Sequence, residues 1–208
     1  MRSIKSIDEL KVIRHAANIS SRAHQFVMAN IHSDSYEYQV EARLRYFFGV
    51  HGARNEAYSS IVASGKNACT LHYIENQSKL NQSELILIDA GCEFEGYASD
   101  ITRTFPIGGK FSEPQKDLYS VVLEAQKAAI GQVKKNNSFN DPHIAAIQVL
   151  AQGLKDLKIL RDSVSAIIEK GEYKKFYMHR TSHWMGLDVH DVGDYFDSKG
   201  KPVRLMNG

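Results

Sequence analysis

The chain opens with two stretches whose apolar residues recur at helical spacing. Ser6 and Glu9 form a capping box, and the apolar face that follows predicts a first helix over about residues 6–30. A second apolar stripe predicts another helix over about residues 36–48. Two helices are therefore expected before any strand.

Shorter apolar runs rich in β-branched residues then predict strands. The run Leu85–Ile88 is the clearest, because its length suits a buried strand better than a helix. After Asp89 the chain must turn and return as another strand, which Pro106 ends. The pattern predicts a sheet with a long hairpin, built from strands at residues 60–63, 70–73, 85–88 and 99–105.

The same order of elements then begins again. Ser112 and Gln115 form another capping box, and Pro142 stands where a first-turn proline belongs. Each precedes an apolar helical face, so two more helices are predicted, and new strands barely begin after Tyr177. This repeated order suggests a structural duplication, although the two parts share no evident sequence identity.

Composition excludes several classes of protein. The 208 residues are 43% hydrophobic and 24% charged with a net charge of +2, which is typical of a globular chain and gives no basic footprint for nucleic acid. We expect no signal peptide and no membrane span, since no stretch approaches roughly 20 apolar residues. Cys69 and Cys92 are expected to be buried core thiols, which favours a cytoplasmic location.

Two aspartates of the predicted hairpin are candidate metal ligands. If the turn is centred between Phe94 and Glu95, Asp89 and Asp100 face each other across the strand pair. Facing carboxylates repel unless a cation lies between them, and they are close enough to bind one ion or to bridge two. A register shift of one residue would place them on opposite faces, and solvated strand ends are the alternative interpretation.

Histidines cluster late in the chain. His179, His183 and His190 fall within twelve residues beside the only tryptophan, and His72 lies in an earlier predicted strand. Imidazole binds metals and transfers protons near neutral pH, so the cluster predicts a pocket, with ordinary core or surface histidines as the alternative. The spacing of His179 and His183 is that of half a zincin motif, but the general-base glutamate is missing and we reject that interpretation.

The longest motifs are Ile88–Cys92, Gly96–Pro106 and Ser182–Asp191. Together with the shorter stretches His51–Arg54 and His72–Asn76, they resemble the catalytic domain of bacterial Xaa-Pro aminopeptidase, the aminopeptidase P family. The resemblance covers almost the whole chain. It implies an α+β fold of the pita-bread type, in which two pseudo-symmetric halves, each with helices on a curved antiparallel sheet, hold a metal site.

This resemblance also implies a domain organisation. Residues 1–208 would form a single catalytic domain, with a first half over about 1–110 and a second half over about 111–208. The second half would be incomplete at its C-terminal end. The N-terminal domain that is usual in bacterial members would be absent.

The family further implies the residues of the site. Aspartates at the positions of Asp89 and Asp100, and a histidine at the position of His183, are metal ligands in such enzymes. Two Mn²⁺ ions are the implied cofactor of the complete enzyme, with Co²⁺ or Zn²⁺ as substitutes, and this ligand set suits them. The implied substrates are peptides with proline at the second position, and the family histidines associated with binding and with the tetrahedral intermediate correspond to His72, His179 and His190.

The chain departs from the family pattern in two places. Arg180 and Thr181 stand where the family usually has a glycine and an apolar residue. The side chain of Arg180 can therefore narrow the substrate pocket or add a positive charge to it. The family's two glutamate ligands would lie beyond Gly208. We therefore expect a fragment with three of the five ligands, weak metal binding and little peptidase activity.

Other interpretations stay open. A non-catalytic pita-bread module that binds peptides or proteins would usually have lost the ligands at Asp89, Asp100 and His183. A prolidase-type dipeptidase would keep them, so the sequence does not separate it from an aminopeptidase. A truncated product without an independent role would expose sheet edges and self-associate, and a homo-oligomer is also compatible with the sequence.

Overall fold

The computed structural model describes residues 2–206. Its α-helices are α1 (Ile7–Asn30), α2 (Glu37–Val50), α3 (Glu113–Ile130), α4 (Asp141–Asp156) and α5 (Val164–Glu169). Its strands are β1 (Asn55–Glu56), β2 (Ile61–Ser64), β3 (Leu85–Asp89), β4 (Cys92–Phe94), β5 (Tyr97–Ala98) and β6 (Thr102–Pro106). Short 3₁₀ helices cover Gly65–Cys69 and Glu172–Lys175. The first of two compact units runs to Phe111 and includes Trp184–Val192, and the second combines Ser112–His183 with the residues from Gly193 onward.

The four long helices begin where the sequence predicts. The Ser6 hydroxyl accepts a hydrogen bond from the backbone N–H of Glu9, whose carboxylate accepts one from the N–H of Ser6. The Ser112 and Gln115 box opens α3 in the same way, and Pro142 stands in the first turn of α4. None of the described helices combines the length and apolar character that crossing a bilayer requires.

In the first unit, α1 and α2 pack on two small antiparallel sheets, with strand orders β2-β3-β6 and β1-β4-β5. The central strand β3 turns Ile86 and Ile88 into a core shared with both helices, and neither side chain is exposed. Its alternate residues, Leu87 and Asp89 among them, lie half-buried on the opposite face. Asp89 therefore lies on the face of the sheet that the two helices do not cover.

The hairpin from β3 to β6 is confirmed, but its predicted register is wrong by two positions. Asp89 pairs with Thr102 rather than with Asp100. The reason is the turn, in which Glu95 and Gly96 both have a positive φ, of 49° and 83°. A two-residue hairpin turn of the I′ kind needs positive φ at both central residues, so the centre lies one residue later than predicted.

The two arms of the hairpin lie close together at Gly91. A Cβ atom at this position would lie 1.7 Å from the backbone oxygen of Ser99. Glycine is therefore required here for the arms to stay paired through the region that carries Asp89 and Asp100.

Two predictions for the segment after β2 are wrong. Residues 70–73 form no strand, because His72 has a φ of 54°, which lies outside the extended region that a strand needs. Cys69 ends a 3₁₀ helix at the surface and is exposed, whereas Cys92 is buried as predicted. Neither cysteine forms a disulfide.

In the second unit, α3 and α4 pack together through Ala125, Ala129, Ala146 and Leu150. Leu118 and Val122, on the apolar face of α3, are 44% and 51% exposed, because the contacts of this helix with α4 run through Val121, Ala125 and Ala129. In its described residues this unit contains no strand, and pairing is limited to isolated bridges such as that of Phe196 with Pro202.

Candidate metal site

Asp89 and Asp100 come together around one hydroxyl group. The Tyr58 hydroxyl oxygen lies 2.5 Å from Asp89 Oδ1 and 3.0 Å from Asp100 Oδ1, so those two carboxylate oxygens are separated by at most the sum of these distances. The error in register does not separate the aspartates, because side chains alternate with a period of two and a shift of two keeps both on one face. The structure thus brings together the two predicted aspartate ligands.

The surroundings of Asp89 favour a proton or a cation on its carboxylate. Burial raises the pKa of this carboxyl, the charge of Asp100 adds to the rise, and hydrogen bonds from Tyr58 and Thr102 offset it only in part. Burial and the two carboxylates also raise the pKa of Tyr58 far above its ordinary value, so its hydroxyl stays protonated. One hydroxyl hydrogen serves one carboxylate at a time, which leaves charge for a cation to neutralise.

His24 supports the end of β3 from the side of α1. It is buried, and its Nε2 lies 3.1 Å from the carbonyl oxygen of Ala90. A carbonyl only accepts, so Nε2 carries the hydrogen, and burial lowers the pKa of this imidazole so that it is neutral at pH 7. Sequence reasoning missed His24 and Tyr58, because a lone histidine or tyrosine outside a motif carries no signal of its own.

His72 lies in the loop between β2 and β3. Its side chain is exposed. A charge on His72 lowers the pKa of Asp89 by less than burial raises it. The role of His72 in the site stays a prediction from its motif.

His190 also belongs to the first unit, in the segment Trp184–Val192, where its side chain is exposed. The backbone oxygen of Gly186 in this segment accepts a 2.8 Å hydrogen bond from the N–H of Ala98 on β5. After His190, the buried carboxylate of Asp191 forms ion pairs with Lys5, at 3.1 Å, and with Arg2. The segment is therefore attached to the first unit on both sides of His190.

His179 and His183 belong to the second unit, where the first is exposed and the second half-buried. Between them, Thr181 Oγ1 lies 3.2 Å from Nδ1 of His143 in the first turn of α4. The assignment of His183 as a third ligand stays a prediction from its motif. Within residues 2–206, no group of three or more histidine, cysteine, aspartate or glutamate side chains has metal-binding geometry.

Arg180, the departure from the family pattern, lines a cleft of about 710 Å³ in the second unit. Its guanidinium donates a hydrogen bond to the side-chain oxygen of Asn140. Aromatic residues form much of the remaining wall, among them Phe139, Tyr195 and Phe196.

Comparison with known families and proteins adds independent evidence. The model of metallopeptidase family M24 matches residues 11–208. The Xaa-Pro aminopeptidase of Haemophilus influenzae is 48% identical over 205 residues, which cover 99% of this chain and 48% of that protein. The Xaa-Pro aminopeptidase of Escherichia coli is 40% identical over 201 residues, which cover 97% of this chain and 46% of that protein.

Solved structures agree with the sequence matches. The Pseudomonas aeruginosa aminopeptidase PepP superposes with a TM-score of 0.96 at 48% identity, covering 98% of this chain and 46% of that one. Zinc-substituted Escherichia coli aminopeptidase P in complex with product gives a TM-score of 0.94 at 40% identity, with coverage of 98% and 46%. The α+β pita-bread fold predicted from the sequence is thereby confirmed, and the chain spans about half the length of the relatives it matches.

Proposed function

Because the chain belongs to metallopeptidase family M24, we propose that the whole protein is a metal-dependent aminopeptidase. Its substrates would be peptides with proline at the second position, from which it removes the N-terminal residue. The contact of Asp89 and Asp100 with the single hydroxyl of Tyr58 carries this proposal, because it places two carboxylates where they can share a cation. The similarity to proteins named Xaa-Pro aminopeptidase supports the substrate class.

Each predicted site residue has a role in the proposal. Asp89 and Asp100 would bind the metal, and the motif around His183 supports a third ligand there. Oxygen-rich ligands with one imidazole suit Mn²⁺, with Co²⁺ or Zn²⁺ as substitutes. When bound, such ions supply a hydroxide at neutral pH and polarise the scissile carbonyl.

The remaining residues act on the ligands or on the peptide. Tyr58 orients the carboxylates of Asp89 and Asp100 by donating a hydrogen bond to one of them at a time. His72 is exposed, and on the strength of its motif we propose that its imidazole donates a hydrogen bond to a bound peptide. His179 and His190 are proposed as further substrate-binding or proton-transferring groups, on the strength of their motifs.

We also propose that residues 1–208 lie within one pita-bread catalytic domain, in which the boundary between the two halves along the chain is near residue 110. A division between Phe111 and Ser112 supports this arrangement. A cytoplasmic location is proposed as well, and the free state of Cys69 and Cys92 supports it. Homo-oligomer formation stays a prediction.

A peptidase assay of the whole protein tests the proposal. We expect Mn²⁺-dependent release of the first residue from a tripeptide with proline second, and no release from the same tripeptide with alanine second. A chelator and the substitution Asp100→Asn should both abolish release, whereas Asp117→Asn, at an exposed position of α3, should not.

The same assay separates the competing functions. Cleavage of Xaa-Pro dipeptides without cleavage of longer peptides would favour a prolidase-type dipeptidase. Peptide binding without release, in the presence of saturating Mn²⁺, would contradict the proposal and favour a non-catalytic binding module.

A further inference from the structure

The loop that carries His72 is built around a buried carboxylate. Residues 65–84 connect β2 to β3, and a connection of this length inside a compact unit is uncommon unless it serves a function. Glu37, the first residue of α2, contacts this loop, and no part of its side chain is exposed. A buried carboxylate is costly unless hydrogen bonds compensate for lost water.

Five donors compensate the carboxylate of Glu37. Its Oε1 accepts hydrogen bonds from the backbone N–H and the hydroxyl of Ser64, both at 2.7 Å, and from the side-chain amide of Asn67 at 3.0 Å. Its Oε2 accepts from the Tyr73 hydroxyl at 2.7 Å and from the backbone N–H of Ser78 at 2.9 Å. All five donors are neutral groups, and they come from both sides of His72.

The protonation state of Glu37 agrees with this geometry. Burial raises the pKa of its carboxyl, but the hydrogen bonds from Ser64, Tyr73 and Asn67 outweigh burial and hold the pKa below its ordinary value. Glu37 is therefore ionised at neutral pH and only accepts hydrogen bonds. A glutamine at this position would place an amide N–H₂ group against donors such as the Ser64 hydroxyl and the Tyr73 hydroxyl.

A second anchor fixes the far side of the same loop. Asn76 is 2% exposed and has a φ of 48°. Its side-chain oxygen accepts from the N–H of Val62 at 2.9 Å, and its amide donates to the Ser60 backbone oxygen and to Glu41, both at 2.9 Å. The loop is thus fixed to β2 and to α2, while the His72 side chain between the anchors is exposed.

We propose that Glu37 is a positioning residue that fixes the loop from which His72 would serve the proposed metal site. Glu37 acts through the backbone on either side of His72, by accepting from Ser64 before it and from Tyr73 and Ser78 after it. This inference rests on the proposed function, in which Asp89 binds a metal and His72 serves the same site.

Paramagnetic broadening tests the proposal without a measurement of activity. The chain, labelled with ¹³C-histidine, is titrated with Mn²⁺ alone, and the ring signals of His72 are assigned with His72→Asn. In the wild type, we expect His72 to be among the most strongly broadened histidines. In Glu37→Gln, we expect its broadening to fall several-fold while circular dichroism stays that of the wild type, because broadening falls steeply with distance from the ion.

The controls separate this inference from the metal site itself. Glu124→Gln, at an exposed position of α3, should broaden like the wild type. Equal broadening of His72 in wild type and Glu37→Gln, with Mn²⁺ bound in both, would overturn the positioning role alone. Absence of broadening at His72 in a wild type that binds Mn²⁺ would overturn this inference alone, whereas absence of Mn²⁺ binding would overturn the metal site on which it rests.

A milder variant keeps the test decisive if Glu37→Gln does not fold. Tyr73→Phe removes one of the five donors and keeps the buried acceptor. It should also reduce the broadening of His72, but by a smaller factor than Glu37→Gln does. Broadening unchanged from the wild type in Tyr73→Phe would then count against the positioning role.

Discussion

Glu37 and Asp89 belong to the same unit, and their surroundings have opposite effects on their charge. Glu37 is fully buried, yet five donors hold its pKa below the ordinary value. Asp89 is only half-buried, yet burial and the charge of Asp100 raise its pKa against the hydrogen bonds of Tyr58 and Thr102. The number of donors and the neighbouring charge therefore decide the outcome, rather than the degree of burial.

The comparison separates two uses of a carboxylate. The charge of Glu37 is compensated by hydrogen-bond donors of the protein itself, so it needs no bound cation. Its carboxylate instead orders a long loop. Asp89 and Asp100 repel each other and share one hydroxyl, so their region is the one that a cation would stabilise. Burial alone would not have distinguished the structural carboxylate from the candidate ligands.

The largest expected effect follows from neutralising Glu37. Glu37→Gln should lower the free energy of unfolding by about 3 kcal/mol, because hydrogen bonds to a charged acceptor are lost and buried donors are left facing an amide. Chemical denaturation measures the change. Glu124→Gln should stay within about 0.5 kcal/mol of the wild type, and an equally small change in Glu37→Gln would remove the contrast with Asp89.

Neutralising Asp89 should have the opposite sign. Asp89→Asn should raise the free energy of unfolding in metal-free buffer by about 1 kcal/mol, because it removes the repulsion from Asp100 and the cost of burying a charge. The same denaturation experiment with a chelator present measures it. A clear loss of stability would show that the aspartate pair is a structural feature like Glu37.

The smallest expected effect is a difference in pH dependence. The raised pKa of Asp89 means that its charged form destabilises the folded state at neutral pH. This destabilisation disappears as the pH falls towards the unfolded-state pKa of about 3.8, so the free energy of unfolding of the wild type should approach that of Asp89→Asn. The lowered pKa of Glu37 means that its contribution is complete above about 4.5 and is lost as the pH falls below that value.

Denaturation curves of the wild type and the two variants between neutral and acidic pH measure this difference. The gap between wild type and Asp89→Asn should close before the gap between wild type and Glu37→Gln begins to narrow. The reverse order would contradict the assigned pKa directions.

Sequence reasoning succeeded where the signal is local. The capping boxes at Ser6 and Ser112 place two helices, and the apolar run Leu85–Ile88 places β3, because each signal lies within a few residues of the element it defines. The predicted hairpin register is wrong by two positions, because the turn residues Glu95 and Gly96, and not the aspartate pair, determine where the hairpin is centred.

The contacts of the site lay beyond local patterns. Tyr58 is 31 residues from Asp89 and 42 from Asp100 in sequence, and Glu37 binds donors between 27 and 41 residues away. The predicted strand at residues 70–73 failed for the same reason, because contacts with Glu37 decide the path of that loop. Spacing along the chain cannot reveal such contacts until the fold brings the residues together.

Calorimetric titration of Mn²⁺ into the wild type and Asp100→Asn tests the central claim most directly. Asp117→Asn serves as the control that removes a carboxylate from an exposed position on a helix. We expect measurable binding to the wild type and to Asp117→Asn with equal affinity, and the loss of most of that affinity in Asp100→Asn. Identical binding to the wild type and Asp100→Asn would contradict the claim that Asp89 and Asp100 form a metal site.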